Sequence, residues 1–330
     1  MLQLGTPLIL LIGVPGNLLS LIVMKSRRYR GKSYSHYLSA LTVFDSLVLV
    51  MKYVRRLDDL MRTMNGPSAG VFSTYGDVAC KMHNFAEHVC YLMSSWLVLF
   101  MTLERYIAVC FPFKKDKYCK PLSAVTVIVI LFAVMSYSQI FRLIVIEKEH
   151  GICTASENYL QVYVALHIYL YQLILKFMLP AIIIVTCNVT IFYKIRQLRY
   201  SVTRHGYTHN YTQYSKHNRT TCTLLMISFT YVITLLPQLL LSMVIHVAVK
   251  VNPMLARSMM RNFVDLRFVL ELISELNYGV NFYIYVMSGA QFRYELKHIC
   301  SPKNLFSSSA HTECKTCVFP HFFEEHFKNI

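Results

Sequence analysis

Asp45, Glu87, Arg105, Glu271 and Glu275 are charged residues set inside, or at the ends of, otherwise apolar runs. A charge at mid-membrane costs about 2.5–3.5 kcal/mol on insertion scales, so such residues pair with one another, face a protein interior or line a watery cavity. The chemistry open to them is binding of an ion or of a charged ligand. No P-loop, HExxH or GxSxG pattern accompanies them, which argues against an enzyme. The stretch from Cys80 to Phe113, CKMHNFAEHVCYLMSSWLVLFMTLERYIAVCFPF, shows how the charges are placed. Cys80, Asn84, Glu87, Tyr91, Ser94, Val98, Met101 and Arg105 follow steps of four and three and stack on one face of a helix. One polar seam on a long apolar helix, closed by Glu104-Arg105-Tyr106, predicts a helix enclosed by other helices.

The whole chain fits that setting. Of its 330 residues 55% are hydrophobic and only 15% charged, against roughly 25% charged in a soluble domain. The mean hydropathy is +0.42, and several runs reach the length of about 20 apolar residues that a membrane helix needs. The net charge of +16 would point to nucleic acid in a soluble protein. In a membrane protein it predicts basic cytoplasmic loops that meet anionic lipid and cytosolic partners, with no nucleic acid. Ten scattered cysteines do not make a disulfide-rich secreted framework. The first span, about Leu2–Met24, is too long for a signal-peptide core. Others are expected at about Tyr34–Tyr53, Cys80–Phe113, Leu122–Ile146, Leu160–Tyr193, Thr221–Val249 and Phe263–Ser288. Lys52 to Gly76 reads as a polar outer loop. The basic run Lys25-Ser26-Arg27-Arg28-Tyr29-Arg30-Gly31-Lys32 marks the cytoplasmic side, which puts the N-terminus outside and the C-terminus in the cytoplasm. On that topology the triplets at Asn210 and Asn218 never meet the glycosylation machinery.

The order Cys…Glu-Arg-Tyr-Ile-Ala-Val…Pro along the third span resembles the third helix of a rhodopsin-like (class A) G protein-coupled receptor. Gly16-Asn17 resembles the first-helix motif of that family, Asp45 its second-helix Asp, and Pro180 and Pro237 its fifth- and sixth-helix prolines. Asn281-Phe282-Tyr283-Ile284-Tyr285 resembles its NPxxY motif with Phe282 in place of Pro, and Gln291 to Lys297 its amphipathic eighth helix. The resemblance implies an all-α membrane protein, a seven-transmembrane bundle with a short eighth helix over residues 1–300, followed by a disordered cytoplasmic tail, 301–330. It implies a disulfide from Cys80 to Cys153, and a switch made of Glu104, Arg105, Tyr106, Pro237, Asn281 and Tyr285 that couples to a heterotrimeric G protein, with arrestin as a further partner. No cofactor is required. An allosteric sodium ion held by Asp45, Ser94, Asn277 and Asn281 is implied by the same likeness, and a structural, protonated Asp45 is its alternative. Cys300 is a palmitoylation candidate. The Cys314-Lys315-Thr316-Cys317 pair in the tail is too little for zinc. There are departures: Leu235 replaces the family's sixth-helix Trp, Tyr231 a Phe, Asn188 a fifth-helix Tyr, and His217 stands where some members place an acidic partner for the third-helix Arg.

The ligand class rests on the outer cavity. There the resemblance sets Glu87, with His83 and Tyr91 a turn to either side, opposite Glu271 and Glu275, with Gln172 and Arg267 on neighbouring walls. Three carboxylates around one dry cavity cannot all stay charged without a partner. A cation from the ligand supplies one, and an Arg-containing, amidated neuropeptide fits because Arg pairs bidentately with carboxylates. The chain's texture resembles invertebrate receptors of the FMRFamide-like type. Internal neutralisation by Arg267, Lys176 or a shared proton is the alternative on the protein's side. On the ligand's side the alternatives are a small amine, or a non-signalling scavenger or transporter. All of these readings place the chain in the plasma membrane.

Overall fold

The computed structural model describes residues 5–66, 69–149, 152–205 and 211–299. Cys300, the tail and Asn210 lie outside them, and the side chains of His217 and Asn218 are likewise outside what is described. Among the described residues, six helices are long and apolar enough to cross a membrane. They are α1 (Gly5–Met24), α2 (Ser33–Asn65), α3 (Val71–Cys110), α4 (Pro121–Gln139, continued after Ile140 by Phe141–Val145), α5 (Leu160–Val164, Ala165–Met178 and Leu179–His205 in succession) and α6 (Tyr211–Val251). A seventh helix, α7 (Val264–Gly279 and Asn281–Ser288), is set apart from these by its charged residues, and α8 (Ala290–Ile299) follows it. α3 is the most enclosed and α6 the least. Leu97, Met93 and Met101 of α3 pack with Leu38, Leu41, Ile184, Tyr231 and Tyr285 in the central core, while Leu11, Val129 and Ile233 face outward.

α2 differs most from the sequence expectation. It runs some three turns past Tyr53, through the segment expected to be an outer loop. The charges that made that segment look like a loop are paired. Arg62 bridges Asp58 at 2.8 Å and Asp59 at 2.6 Å, and Asp58 Oδ1 accepts the backbone N–H of Phe72 at 3.1 Å, tying the end of α2 to the start of α3. α3 is broken once, at Gly76, whose φ of 84° is open to glycine and costly for other residues. α5 and α6 also run into the expected Arg196–Arg219 loop, α5 ending at His205 and α6 starting at Tyr211.

α1 lies close against α7. Asn17 Nδ2 donates to the Tyr278 carbonyl at 2.9 Å, and a Cβ on Gly13 would stand 2.9 Å from the Gly279 Cα. Between α4 and α5 the chain forms a short antiparallel hairpin, Ile146–Glu149 with Ile152–Ala155, an addition to the expected all-α bundle. The hairpin carries Cys153, whose disulfide to Cys80 spans 5.7 Å between Cα atoms. The expected bridge is therefore present, and it fixes the hairpin over one end of α3.

α5 runs through Leu160–Val164 and a π-helical segment, Ala165–Met178, into the α-helix Leu179–His205. Pro180 accounts for the partners of its wide turn. Leu179 N–H bonds the Ile174 carbonyl, the five-residue step of π winding. The next step falls on Pro180, which has no N–H, so the Leu175 carbonyl is left open; under a four-residue step it would be that of Lys176. Two side chains fill these positions from neighbouring helices. Trp96 Nε1 donates to the Leu175 carbonyl at 3.0 Å, and the Tyr231 hydroxyl donates to that of Lys176. Trp96→Phe and Tyr231→Phe should each lower stability by about 1 kcal/mol, the net worth of one such bond. Thermal unfolding of the purified variants checks this, and the double variant should fall by more than either.

Candidate functional site

At the disulfide end of the bundle, charges from α2, α3 and α7 converge. Glu87 is almost fully buried. Its Oε2 accepts from Arg55 Nη2 of α2, and its Oε1 from the Tyr91 hydroxyl at 2.7 Å. His83 Nδ1 lies 3.9 Å from the same carboxylate, and its Nε2 lies 3.1 Å from the Met51 carbonyl. Glu271 receives Lys52 Nζ at 3.0 Å and Arg56 Nη2 at 2.6 Å. Among the described residues the cation within ion-pair distance of Glu275 is that same Lys52, at 3.7 Å. Glu275 is wholly buried, and its neighbour of α1 is the Thr6 hydroxyl; among the described residues no other hydroxyl or amide reaches its oxygens. The three expected carboxylates thus lie at one end of the bundle; internal cations pair closely with Glu87 and Glu271, but these are Lys52, Arg55 and Arg56. Arg267, expected in the cluster, is exposed instead. Lys176 stands 4.1 Å over the Tyr91 ring. Gln172 contacts His167 at 2.8 Å.

Lys52, Arg55 and Arg56 are the charged partners in this cluster that sequence reasoning missed. The signal was present: Asp45, Leu49, Lys52 and Arg56 continue one face of α2 in steps of four and three, with Val48 and Arg55 beside them. Ending the span at Tyr53 hid it.

In the middle of the bundle Asp45 is fully buried. Ser94 Oγ donates to its Oδ1 at 2.6 Å, and Asn281 Nδ2 to its Oδ2 at 2.7 Å. These join α2, α3 and α7 at one point. Asn277 is buried on α7 but makes no side-chain hydrogen bond to Asp45 among the described residues. The carboxylate, the hydroxyl and an amide that can turn its oxygen inward are hard donors of the kind that suits a hard cation. The arrangement fits a small cation on three of the four expected residues.

At the opposite end Arg105 Nη2 donates to Glu104 Oε1 at 3.3 Å, and its guanidinium lies 4.3 Å from the centre of the Tyr34 ring. Glu104 Oε2 accepts from Ser33 at 2.9 Å. Tyr106 packs edge-on against Phe111. Pro237 sits within α6 and leaves the Ile233 carbonyl without its helical donor. Tyr285 is buried against Phe292, 5.4 Å between ring centres, with its hydroxyl unpartnered.

A family sequence model described as 7 transmembrane receptor (rhodopsin family) matches residues 16–285. Among curated proteins, growth hormone secretagogue receptor type 1 of Rattus norvegicus is 28% identical over 142 residues, 42% of this chain and 37% of that receptor. A probable G-protein coupled receptor of Caenorhabditis elegans is 32% identical over 128 residues, 39% of this chain and 29% of its own length. The thyrotropin-releasing hormone receptor of Mus musculus is 26% identical over 127 residues, 38% and 30%. The matched part spans well under half the length of each relative. The bundle, the disulfide-tied hairpin, the Asp45 cluster and the family match over most of the chain lead to one conclusion: this is a multi-pass membrane protein of the rhodopsin family of seven-transmembrane receptors, a family of receptors and not of enzymes.

Proposed function

We propose that the chain is a plasma-membrane receptor for an extracellular peptide. The disulfide end faces outward, and the Arg105 end and the C-terminus face the cytoplasm, where they meet a heterotrimeric G protein, arrestin and anionic lipid. The relatives named for a growth hormone secretagogue and for thyrotropin-releasing hormone support a messenger ligand. A peptide suits charged groups spread over several helices better than a small amine does. The observation that carries the reading is Glu275. It is a buried carboxylate with only the neutral Thr6 hydroxyl beside it among the described residues, and it shares Lys52 with Glu271. A basic group on the ligand, such as the Arg of an amidated FMRFamide-like peptide, completes its coordination and competes with Lys52 and Arg56 for Glu271.

Binding favours the state in which α6 moves about Pro237 and the cytoplasmic face opens. The receptor does no covalent chemistry. In cells expressing the chain, amidated peptides with Arg near their C-terminus should activate a G protein, and matched peptides with norleucine in place of Arg should not. Glu275→Gln should weaken the response at least tenfold, with surface expression unchanged. Equal responses to both peptide sets would remove the basic-group reading.

Asp45, Ser94 and Asn281 would hold a sodium ion, which supplies the positive charge that a buried carboxylate otherwise lacks. Sodium chloride should raise the unfolding midpoint above that in choline chloride at equal ionic strength, and Asp45→Asn should erase the difference.

A further inference from the structure

Arg142 of α4 is completely buried, and among the described residues no carboxylate pairs with it. Its Nε donates to Gln139 Oε1 at 2.6 Å, and its Nη1 to Asn84 Oδ1 at 3.2 Å and to the Tyr163 hydroxyl at 3.1 Å. Its Nη2 meets His167 Nδ1 at 2.9 Å. The rings of Phe141, Tyr163 and Tyr171 lie 5.0–5.7 Å from the guanidinium carbon. Every partner is neutral or aromatic. Glu87, the acidic residue of the adjoining α3 face, is already taken by Arg55 and Tyr91. A guanidinium has five N–H donors and cannot deprotonate. Four contacts are accounted for among the described residues, which leaves one N–H on Nη2, the nitrogen beside His167. A buried charge held only by dipoles and rings is under-compensated.

His167 extends this patch down α5. Because Arg142 can only donate, His167 Nδ1 accepts and the ring proton sits on Nε2. Gln172 lies 2.8 Å from that Nε2. Its amide satisfies the contact with its oxygen turned to the ring, since amide oxygen and nitrogen exchange by rotation. The π winding makes this meeting happen. Residues five apart are neighbours in a π-helix, so His167, Gln172 and, four further on, Lys176 fall along one face. Lys176 is the second cation of this wall. It stands over the Tyr91 ring with no carboxylate within ion-pair distance among the described residues. The α2, α3 and α7 wall therefore pairs cations with carboxylates, whereas the α4 and α5 wall facing it carries, among the described residues, Arg142 and Lys176 with no carboxylate paired to either.

We propose that this wall forms a subsite for a carboxylate, made by Lys176, Gln172 and His167 of α5 in front of Arg142 of α4. This rests on the receptor reading above, though not on an amidated C-terminus, and adds the chemistry of a second group on the ligand: an acidic side chain, or a free C-terminal carboxylate in a ligand that is not amidated. The carboxylate takes the Lys176 ammonium and the spare Nη2–H, and the aromatic rings around Arg142 flank the chain that carries it.

The probes are N-acetyl-phenylalanine and its primary amide, which differ only in the carboxylate, added at millimolar concentration and constant ionic strength to the purified full chain in detergent. The acid should raise the unfolding midpoint and the amide should not. N-acetyl-aspartate α-amide, which carries its carboxylate on a side chain, separates the two sources: a shift with both acids marks a general carboxylate site, and a shift with only the first marks a C-terminus site. Lys176→Gln should weaken the acid effect about tenfold, and Lys176→Arg should keep it. Arg142→Gln should also abolish it, but its network invites misfolding, so Lys176→Gln is the deciding variant. Equal shifts with acid and amide, no acid-dependent shift, or full acid preference in a folded Lys176→Gln protein would overturn the proposal. The readout needs no G protein. An acid-selective shift in a chain that never signals would leave the subsite standing and remove the receptor reading; signalling without the shift would do the opposite.

Discussion

Arg55→Met should lower the stability of the purified protein far more than Glu87→Gln, although the two residues form one ion pair. The side chain of Arg55 is 43% exposed and that of Glu87 only 3%. Removing Arg55 strands a buried carboxylate that keeps the Tyr91 hydroxyl and a distant His83 as its remaining partners. Loss of one member of a buried pair costs about 3–5 kcal/mol when the survivor's charge cannot reach water. Removing the charge of Glu87 leaves an amide that still accepts from Tyr91 and an arginine that turns to solvent. The expected cost is about 1 kcal/mol, the range of an ordinary hydrogen bond or a half-exposed pair. The double variant should recover most of the loss caused by Arg55→Met, because no charge is then left buried. Thermal unfolding of the three variants, in the same detergent, measures the coupling directly. Equal losses in the two single variants would mean that Glu87 is not held by Arg55 in solution.

That pair also shows where the sequence could be read and where it could not. α3 was legible because its polar seam lies on a single helix and has the helical period: Glu87, Tyr91, Ser94 and Arg105 announce one another. The second-span Asp45 and the motif around Asn281 were legible through their order along the chain, and their meeting at Ser94 follows from the helices that carry them. The reach of α2 was not legible. Lys52, Arg55, Arg56, Asp58 and Arg62 lower the local hydropathy, and a window average treats them as solvated. Their partners are far away in sequence, Glu87 being 32 residues from Arg55 and Glu271 215 residues from Arg56. Arg142 was silent for the same reason. A single charge near the end of an apolar run looks like a boundary, and nothing local says that Asn84, Tyr163 and His167 converge on it. Pro180 was read correctly as a feature of α5, but the donors that fill the carbonyls beside it come from Trp96 on α3 and Tyr231 on α6. Pairings within one helix period can be read from one sequence; pairings between helices require the packing.

Tyr34→Ala should raise ligand-independent G-protein activation in the proposed receptor, and Ser33→Ala should raise it further. The argument starts from what holds Arg105. His217 stands where an acidic sixth-helix partner would be, so an ionic lock to α6 is not expected at that position. The described contacts of Arg105 come instead from Glu104 beside it and from α2, through the face of Tyr34 and through Ser33, which fixes the Glu104 carboxylate. A cation over an aromatic face contributes about 0.5–2 kcal/mol, and a hydrogen bond to a charged group about 1.5–3 kcal/mol. If these contacts exist only in the resting state, each loss shifts the resting-to-active equilibrium by its own amount, and about 1.4 kcal/mol is a factor of ten. Basal activation should therefore rise several-fold in Tyr34→Ala and by about tenfold or more in the double variant, up to saturation of the active state. Tyr34→Phe keeps the ring and should stay near the parent level, which separates loss of the cation–π contact from a general disturbance of α2. The measurement is basal G-protein activation normalised to surface expression. An unchanged basal signal in Tyr34→Ala, in a chain that does couple, would show that Arg105 is restrained by Glu104 alone and that α2 takes no part in the switch.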